Sequence, residues 1–193
     1  SYRFLFVKIE RLFVNLYGRL ILILLRQIWC KKMGAPLTRR FIFFRAWLHD
    51  CDFNLHLTSS RYFAMMDLCR MDLMLGMGMT KYILKHKWKF VVNAQEITYI
   101  KEVSPFSRFR ISSQILGWDD KYFYVEHRVS SKGKLNAIAH IRIAGLQGNK
   151  VISMKEVMET CGFDIEQPPE VEAIKIWKQL LDHKKWSNIK AKK

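Results

Sequence analysis

Two hydrophobic patterns divide the chain, and each predicts a different kind of structure. From Phe4 to Trp29 apolar residues dominate and no proline interrupts them. Five of the polar residues in this segment follow steps of three, four, four and seven, at Lys8, Arg11, Asn15, Arg19 and Arg26. At about 100° per residue these steps place all five on one stripe of a helix. Residues 1–35 are therefore predicted to form a hydrophobic and basic helical segment.

After Pro36 the pattern changes to one strand followed by one long helix. Arg40 to Leu48 is rich in aromatic and β-branched residues, which favours a strand. Thr58 and the two serines after it are natural N-cap residues, and apolar positions recur at helical spacing from Arg61 to Leu75. Most of the six methionines between residues 65 and 79 fit the apolar face of this helix and its exit, so we expect packing in the core rather than a metal site.

The remaining residues alternate as strands do. Four further strands are predicted in a meander, at 90–103, 108–117, 122–130 and 135–146. A short helix at 153–160 and a last helix from Pro168 to about His183 follow. The predicted fold class is α+β, with an antiparallel sheet wrapped around one long central helix. We expect this domain to occupy residues 36–165, and a C-terminal helix with a basic tail to occupy residues 166–193.

The positive charge is concentrated at the two ends of the chain. The net charge is +16, yet residues 1–45 hold ten basic residues with one acid, and residues 183–193 hold five with none. The middle, residues 46–182, has 18 basic and 16 acidic residues and is nearly neutral. A nucleic-acid-binding domain usually carries its basic stripe on the fold itself, so no nucleic-acid partner is expected. Basic ends instead favour an anionic membrane surface or an acidic partner.

Membrane contact through residues 4–29 is expected, in one of two forms. A helix of this length is about 39 Å long, which is enough to cross a bilayer, but Arg19 would then need a partner or would have to snorkel. A helix lying in the interface would keep its basic stripe among the lipid headgroups. A helix packed on the domain without membrane contact is the remaining alternative.

Cysteine usage and charge also predict a compartment. The four cysteines, Cys30, Cys51, Cys69 and Cys161, are widely spaced and form no Cys-x-x-Cys pair. Neither a zinc site nor a disulfide scaffold is therefore expected, and no other cofactor is predicted. The start at Ser1 leaves open whether a leader was removed. A processed leader together with the basic ends would suit the mitochondrial inner membrane, which is the expected location, with the endoplasmic reticulum as the alternative.

The candidate chemistry lies in the turn before the central helix, from Asp50 to His56. A helix start offers free backbone N–H groups and a partial positive charge, which polarise a thioester carbonyl and hold its oxyanion. A carboxylate just before the helix can then attack the carbonyl or activate a water. Asp, Asn, His and Ser are also ordinary turn and capping residues, so the residue types alone leave a structural role open.

Two motifs resemble the 4-hydroxybenzoyl-CoA thioesterase-like hotdog proteins, in particular their thioesterase superfamily member six branch. The first is D-C-D-F-N-L-H-L-x-x-S-R-Y from Asp50 to Tyr62, and the second is G-W-D-D-K-Y-F-Y-V-E-H-R from Gly117 to Arg128. The order of the predicted elements agrees as well, so the resemblance covers roughly residues 38–165. It implies the hotdog fold, hydrolysis of acyl-CoA to free acid and CoA, and a homodimer with the site at the subunit interface.

By this resemblance Asp52 is the catalytic acid, and Asp50 supports it or braces the loop. His56 matches the histidine that the branch has in the same turn, where it either takes part in catalysis or orders the loop. Tyr62 matches an aromatic residue of the first helical turn, which lines the acyl pocket or packs in the core.

Three further residues, Asn54, Thr58 and Ser59, complete the predicted substrate-binding set. The branch usually has Asn-Asn where this chain has Thr58-Ser59. Hydroxyls can still cap the helix and donate hydrogen bonds, but the two amide donors are absent. Any role of those amides in holding a substrate carbonyl is therefore left open.

Two functions remain open at this point. The first is an acyl-CoA thioesterase at a membrane, in which basic residues of a partner copy, such as Arg108, Arg110 or Lys132, contact the CoA phosphates. The second is a non-catalytic hotdog subunit that serves as an accessory or structural component of a larger membrane complex. The Thr58-Ser59 departure and the basic ends favour the second.

Overall fold

Six strands and five α-helices make up the described part of the chain, residues 16–29 and 37–190 of a computed structural model. The strands are β1 (Arg40–Arg45), β2 (Trp88–Tyr99), β3 (Arg108–Trp118), β4 (Tyr122–Ser131), β5 (Lys134–Gln147) and β6 (Lys150–Val151). The helices are α1 (Leu16–Trp29), α2 (Ser59–Gly76), α3 (Thr80–His86), α4 (Met154–Thr160) and α5 (Glu172–Lys190). A 3-10 turn, Leu48–Asp50, follows β1. The elements α3 and β6 were not predicted from the sequence.

All paired strands of the sheet are antiparallel, in the order β1-β3-β4-β5-β2, with β6 on β5. The predicted meander is correct for β3, β4 and β5 but wrong for β2. β2 lies at the far edge, where it pairs with β5 along its length. Because β2 follows helix α3 and is joined to β3 by an eight-residue connection, no tight hairpin holds the two together. The sheet curls around α2, as the α+β prediction requires.

The core lies between the inner face of the sheet and one face of α2. Tyr62, Met65, Met66, Cys69 and Leu73 are buried along the helix at helical spacing. Alternate residues of the strands are buried opposite them, among them Phe109, Ile111, Val125, Val129, Ala139 and Ile141. Met65, Met66, Met77 and Met79 are buried, which confirms core packing for most of the methionines, whereas Met71 is 39% exposed.

A buried ion pair joins α2 to the edge strand β1. The Nε of Arg40 lies 2.9 Å from Oδ2 of Asp72, and both side chains are almost completely buried. The guanidinium packs directly against Gly76, so a Cβ at that position would overlap it. Glycine therefore stands at the last residue of α2 because the arginine needs its space.

A second buried ion pair joins α1 to the turn after β1. Arg19 Nη2 lies 2.6 Å from Oδ2 of Asp50, and Asp50 is completely buried. Arg19 also donates to the backbone carbonyl of Arg45. The interfacial arrangement expected from the sequence, with Arg19 among lipid headgroups, is therefore wrong for this residue. Inside the protein, Arg19 supplies a counter-ion that the fully buried carboxylate of Asp50 needs.

The outward face of α1 is apolar. Tyr17, Ile21, Leu24 and Leu25 are exposed there, at positions that share one side of a helix. Within residues 16–29 and 37–190, no helix has the length and apolar character needed to cross a bilayer. The first part of the predicted helix, residues 4–15, lies outside the described residues.

Replacing Arg19 with Met should destabilise the fold, because it removes one of the cations that neutralise buried Asp50. We expect the free energy of unfolding to fall by about 3 kcal/mol, measured by urea denaturation. Arg110→Met, at an exposed arginine, is the control and should change it by less than about 0.5 kcal/mol. In a double-mutant cycle with Asp50→Asn, a coupling energy below about 0.5 kcal/mol would show that the pair does not hold α1.

Candidate active site

The loop between the 3-10 turn and α2 folds back on itself as a short two-stranded arch. The N–H of Thr58 donates to the carbonyl of Asp50 at 2.9 Å, and the N–H of Asp52 donates to the carbonyl of His56 at 2.9 Å. Cys51 and Leu57 form an antiparallel bridge between these two contacts. The arch places residues 52–56 at its tip, directly before the start of α2.

Asp50 anchors the base of this arch. Besides Arg19, its carboxylate contacts Arg61 Nε at 3.4 Å and His49 Nε2 at 3.3 Å, and it accepts the backbone N–H of Trp47 at 3.1 Å. Both oxygens are thus occupied inside the protein. Of the two roles expected for Asp50, this geometry fits the bracing of the loop.

Asp52 has the opposite surroundings, since its side chain is exposed at the tip of the arch. Oδ1 accepts the backbone N–H groups of Asn54 at 3.0 Å and His56 at 3.2 Å, which fixes the orientation of the carboxylate. Oδ2 accepts no hydrogen bond from the described residues. Asp52 is two residues beyond the Asp50–Thr58 contact, in the loop that leads into α2.

The start of α2 keeps its first backbone donors free. Thr58 occupies the N-cap position, as predicted, but its hydroxyl does not cap the helix and instead bonds to Ser60 Oγ at 2.8 Å. The N–H groups of Arg61 and Tyr62 donate to the carbonyl of Thr58. The N–H groups of Ser59 and Ser60 have no acceptor among the described residues, as is usual for the first turn. These two donors carry the partial positive charge of the helix end.

The predicted site residues fall into an exposed group and a buried one. Asn54, His56 and Ser59 are exposed near Asp52, and Thr58 is half-buried. Tyr62 is only 2% exposed and packs edge-on against Tyr99 at 5.3 Å, so it belongs to the core beneath the site. Burial raises the pKa of Tyr62 to about 12, with Tyr99 and Glu102 adding to the effect. Its phenol is therefore protonated at neutral pH.

Exposed apolar side chains surround the arch, a feature that the sequence motifs did not reveal. Phe53 is fully exposed and Leu55 largely so, and both belong to the tip. Leu55 has a positive φ of 59°, a backbone conformation that is uncommon for residues other than glycine. Phe106, also at a positive φ and packed edge-on against Trp47, adds a second exposed ring near the base.

Cys51 is not suited to act as a nucleophile in this site. Burial raises the pKa of its thiol, and the neighbouring charges of Asp50 and Asp52 raise it further. The thiolate, which is the reactive form, is therefore scarce at neutral pH.

The second sequence motif has a structural role. Asp119 Oδ1 accepts the N–H groups of Lys121 and Tyr122 at 3.0 Å, which closes the turn between β3 and β4. Asp119 Oδ2 accepts the hydroxyl of Tyr124 and lies 3.2 Å from Nζ of Lys178 in α5. The motif therefore fixes a turn and fastens α5 to the outer face of the sheet.

The arrangement of Asp52 and α2 suits attack on a polarised carbonyl. A carboxylate with one oxygen free can take a proton from water or attack directly. Two unpaired N–H groups at a helix start can stabilise the negative charge that develops on the carbonyl oxygen. Both features lie on the surface, so a large substrate has access to them.

Comparison with known structures shows the hotdog fold. YbaW, a probable thioesterase from Escherichia coli, superposes with a TM-score of 0.57 at 18% identity, over 65% of this chain and 98% of its own. BH1999, a gentisyl-coenzyme A thioesterase, gives a TM-score of 0.55 at 17% identity, over 63% of this chain and 98% of its own. SAV2348 from Staphylococcus aureus, solved in complex with CoA, gives 0.54 at 14% identity, over 74% and 92%.

Sequence comparison agrees with the fold. The chain is 30% identical over 125 residues to Probable thioesterase YBR096W of Saccharomyces cerevisiae, covering 63% of this chain and 54% of that protein. It is 29% identical over 136 residues to Protein THEM6 of Danio rerio, covering 69% and 65%. The matched region thus spans between about half and two thirds of these relatives. A family profile described as Thioesterase-like superfamily matches residues 46–171. This chain therefore belongs to the Thioesterase-like superfamily, with the hotdog fold.

Proposed function

We propose that the protein hydrolyses acyl-CoA thioesters, with Asp52 as the essential acid group. The observation that carries the proposal is the contrast between the two aspartates of the arch. Both carboxylate oxygens of Asp50 are engaged by buried contacts, whereas Asp52 is exposed, is held by two backbone donors and keeps one oxygen free in the loop that leads into α2. Membership of the Thioesterase-like superfamily supports the same reaction class.

The reaction needs two actions from these residues. Asp52 takes a proton from a water molecule while the water oxygen bonds to the thioester carbonyl carbon. The N–H groups of Ser59 and Ser60 donate to the carbonyl oxygen, which now carries the negative charge. When the C–S bond breaks, the CoA thiolate leaves and takes the proton that Asp52 received. The free acid and CoA are the products.

The other predicted residues support this step. His56 donates its backbone N–H to Asp52, and its exposed imidazole can pass the proton to the leaving thiolate. Asn54 and the hydroxyls of Thr58 and Ser59 offer hydrogen bonds to the substrate. Tyr62 is buried beneath the first turn of α2 and stabilises that turn by packing against it.

A second copy of the chain is the proposed partner. β2 is a twelve-residue edge strand whose outer side is unpaired within the described residues, and Val91 and Val92 are exposed on it. A long edge strand with exposed valines favours pairing with another strand. Pairing of two copies along β2 would extend the sheet.

A membrane surface is the proposed location. The exposed apolar face of α1 and the exposed residues Phe53 and Leu55 can enter the lipid interface, and the basic ends of the chain are attracted to anionic headgroups. The mitochondrial inner membrane, whose lipids are strongly anionic, fits this charge, and the endoplasmic reticulum is the alternative. Long acyl chains partition into membranes, so the site would be near its substrate.

Replacing Asp52 with Asn should abolish most of the hydrolysis. An Asn side-chain oxygen can still accept the N–H groups of Asn54 and His56, so the arch keeps its shape while the general base is lost. We expect kcat/KM to fall by about a hundredfold to ten-thousandfold, measured across acyl-CoA chain lengths. The exposed Asp164→Asn variant is the control and should be fully active. Hydrolysis of no acyl-CoA by the wild type, or full activity of the Asp52→Asn variant, would refute the proposal.

Replacing Val91 with Lys should separate the proposed dimer, because it places a charge on the β2 edge. Light scattering should give twice the mass of one chain for the wild type and the mass of one chain for the variant. Val171→Lys is the matched control, since Val171 is 41% exposed and Val91 is 40% exposed. A wild type with the mass of one chain would rule the dimer out.

The double variant Ile21→Ser with Leu25→Ser should weaken membrane binding. We expect at least tenfold weaker sedimentation with vesicles of phosphatidylcholine and phosphatidylserine, since each apolar side chain contributes about 1.5 kcal/mol or more when buried. Ile176→Ser with Leu180→Ser is the control, at the same spacing and similar exposure on α5. Equal loss in both double variants, or no binding by the wild type, would contradict an α1 membrane face.

A further inference from the structure

The sheet has an outer face that turns away from α2, and this face is rich in arginine near its β1 edge. Because side chains alternate along a strand, the exposed residues of β1 and β3 share the outer face, while their buried neighbours face the core. Helix α5 covers another part of the outer face, where Ile174 and Trp177 pack with Tyr124. The part near β1 is called the arginine face, and its cations are Arg39, Arg45, Arg108, Arg110 and Arg128.

The arginine face has more positive charge than its acids neutralise. Glu126 on β4 is the only acid, among the described residues, that forms an ion pair with these arginines. Its Oε1 lies 2.9 Å from Nη2 of Arg39 and 2.9 Å from Nε of Arg128, so one carboxylate serves two guanidinium groups. Arg108 and Arg110 are exposed and have no carboxylate partner within the described part of the chain. The face is therefore available to an anion.

The fold creates this concentration of charge from separate parts of the chain. Arg39 and Arg45 come from the basic N-terminal part, residues 1–45, and the other three arginines come from the nearly neutral middle. Pairing of β1 with β3 places Arg45 directly opposite Arg108. No nucleic-acid partner was expected from the sequence because the middle of the chain is nearly neutral, but this face of the folded sheet is basic.

Two phenylalanines are exposed among the arginines. The rings of Phe41 and Phe43 meet edge-on with their centroids 5.8 Å apart, and both are exposed. The guanidinium of Arg108 lies over the ring of Phe43, with Cζ 4.7 Å from the ring centroid. Phenyl rings and guanidinium planes both stack on unpaired nucleic-acid bases. The arginine face thus combines stacking surfaces with cations that bind phosphate.

We propose that the arginine face binds single-stranded nucleic acid. A base stacks on Phe43 or on the guanidinium of Arg108, and the neighbouring arginines bind the phosphates on either side. Arginine suits this role because its planar fork can donate two hydrogen bonds to one phosphate. A single strand is favoured over a duplex because its bases are free to stack. The face lies on the opposite side of the sheet from α2, so binding there does not depend on hydrolysis by Asp52.

An anionic membrane is the competing occupant, and the position of α1 argues against it. α1 packs against α2, which lies on the inner face of the sheet. The arginine face lies on the other side of the sheet. With the apolar face of α1 on a bilayer, as proposed above, the same bilayer does not lie flat against the arginine face. The arginines then remain available to a polyanion in solution.

Fluorescence anisotropy with a labelled oligonucleotide of about twelve nucleotides tests the proposal on the full chain. The single strand should bind at least about tenfold more tightly than the duplex that it forms with its complement. Phe43→Leu should weaken binding at least about fivefold because it removes a stacking surface, whereas Tyr17→Leu, at an exposed ring on α1, should leave binding unchanged. No binding by the wild type, or a duplex that binds equally well, would overturn the proposal.

The salt dependence of binding tests the arginines. Arg108→Gln with Arg110→Gln should lower the slope of the logarithm of the association constant against the logarithm of salt concentration by about 1.4, or about 0.7 for each lost phosphate contact. Arg108→Lys with Arg110→Lys keeps both charges and should keep the slope. Lys150→Gln with Lys155→Gln removes two exposed charges elsewhere and is the control. An unchanged slope in the first pair, or an equal change in the control, would contradict phosphate binding at this face.

Two further probes separate nucleic acid from other anions. Vesicles of phosphatidylcholine and phosphatidylserine should bind the Arg108→Gln, Arg110→Gln variant as tightly as the wild type. Because these two arginines are also candidates for contact with CoA phosphates, an equimolar amount of CoA should fail to displace the oligonucleotide. Weaker vesicle binding by the variant, or displacement by CoA, would assign the face to lipid or to CoA and overturn the proposal. The Asp52→Asn variant should bind the oligonucleotide as the wild type does, so failure of the proposed hydrolysis and failure of this site are distinguishable.

Discussion

The fully buried carboxylate of Asp50 is the constraint around which the candidate site is organised. A charge without water must be neutralised and hydrogen-bonded by the protein, and Asp50 receives Arg19 from α1, Arg61 from α2 and the amide of Trp47. Its own carbonyl accepts the N–H of Thr58, which sets where α2 begins. One residue thus determines the docking of α1, the closure of the arch and the direction in which Asp52 faces.

Local patterns in the sequence predicted most of the elements. The period of two in β3, β4 and β5 and the helical spacing along α2 are properties of neighbouring residues, so the strands, the central helix and the α+β class could be read directly. A turn before α2 could be predicted as well, because its polar residues and the start of α2 lie within one short stretch, but its folded-back, two-stranded form was not predicted. The role of Asp119 could not, since a motif shared with relatives does not distinguish a residue that closes a turn from one that acts on a substrate.

Contacts between residues that are far apart in the chain could not be predicted from the sequence. Arg19 and Asp50 are 31 residues apart and Arg40 and Asp72 are 32 apart, and nothing in their neighbourhoods marks them as partners. The same limit explains the misplaced β2, because pairing at the far edge of a sheet depends on where the chain crosses the core. The solvent exposure of individual side chains could not be predicted from the sequence either. Of the two aspartates in the first motif, only the folded structure reveals which is enclosed and which meets solvent.

The two buried ion pairs extend beyond the residues that match the family. Residues 46–171 match the family, and they contain both buried acids, Asp50 and Asp72. The arginine that pairs most closely with each acid, Arg19 or Arg40, comes from earlier in the chain. A protein trimmed to the matched segment would lose α1, β1 and the closest counter-ion of each acid. The residues that complete the two buried ion pairs therefore extend beyond the segment that the family shares.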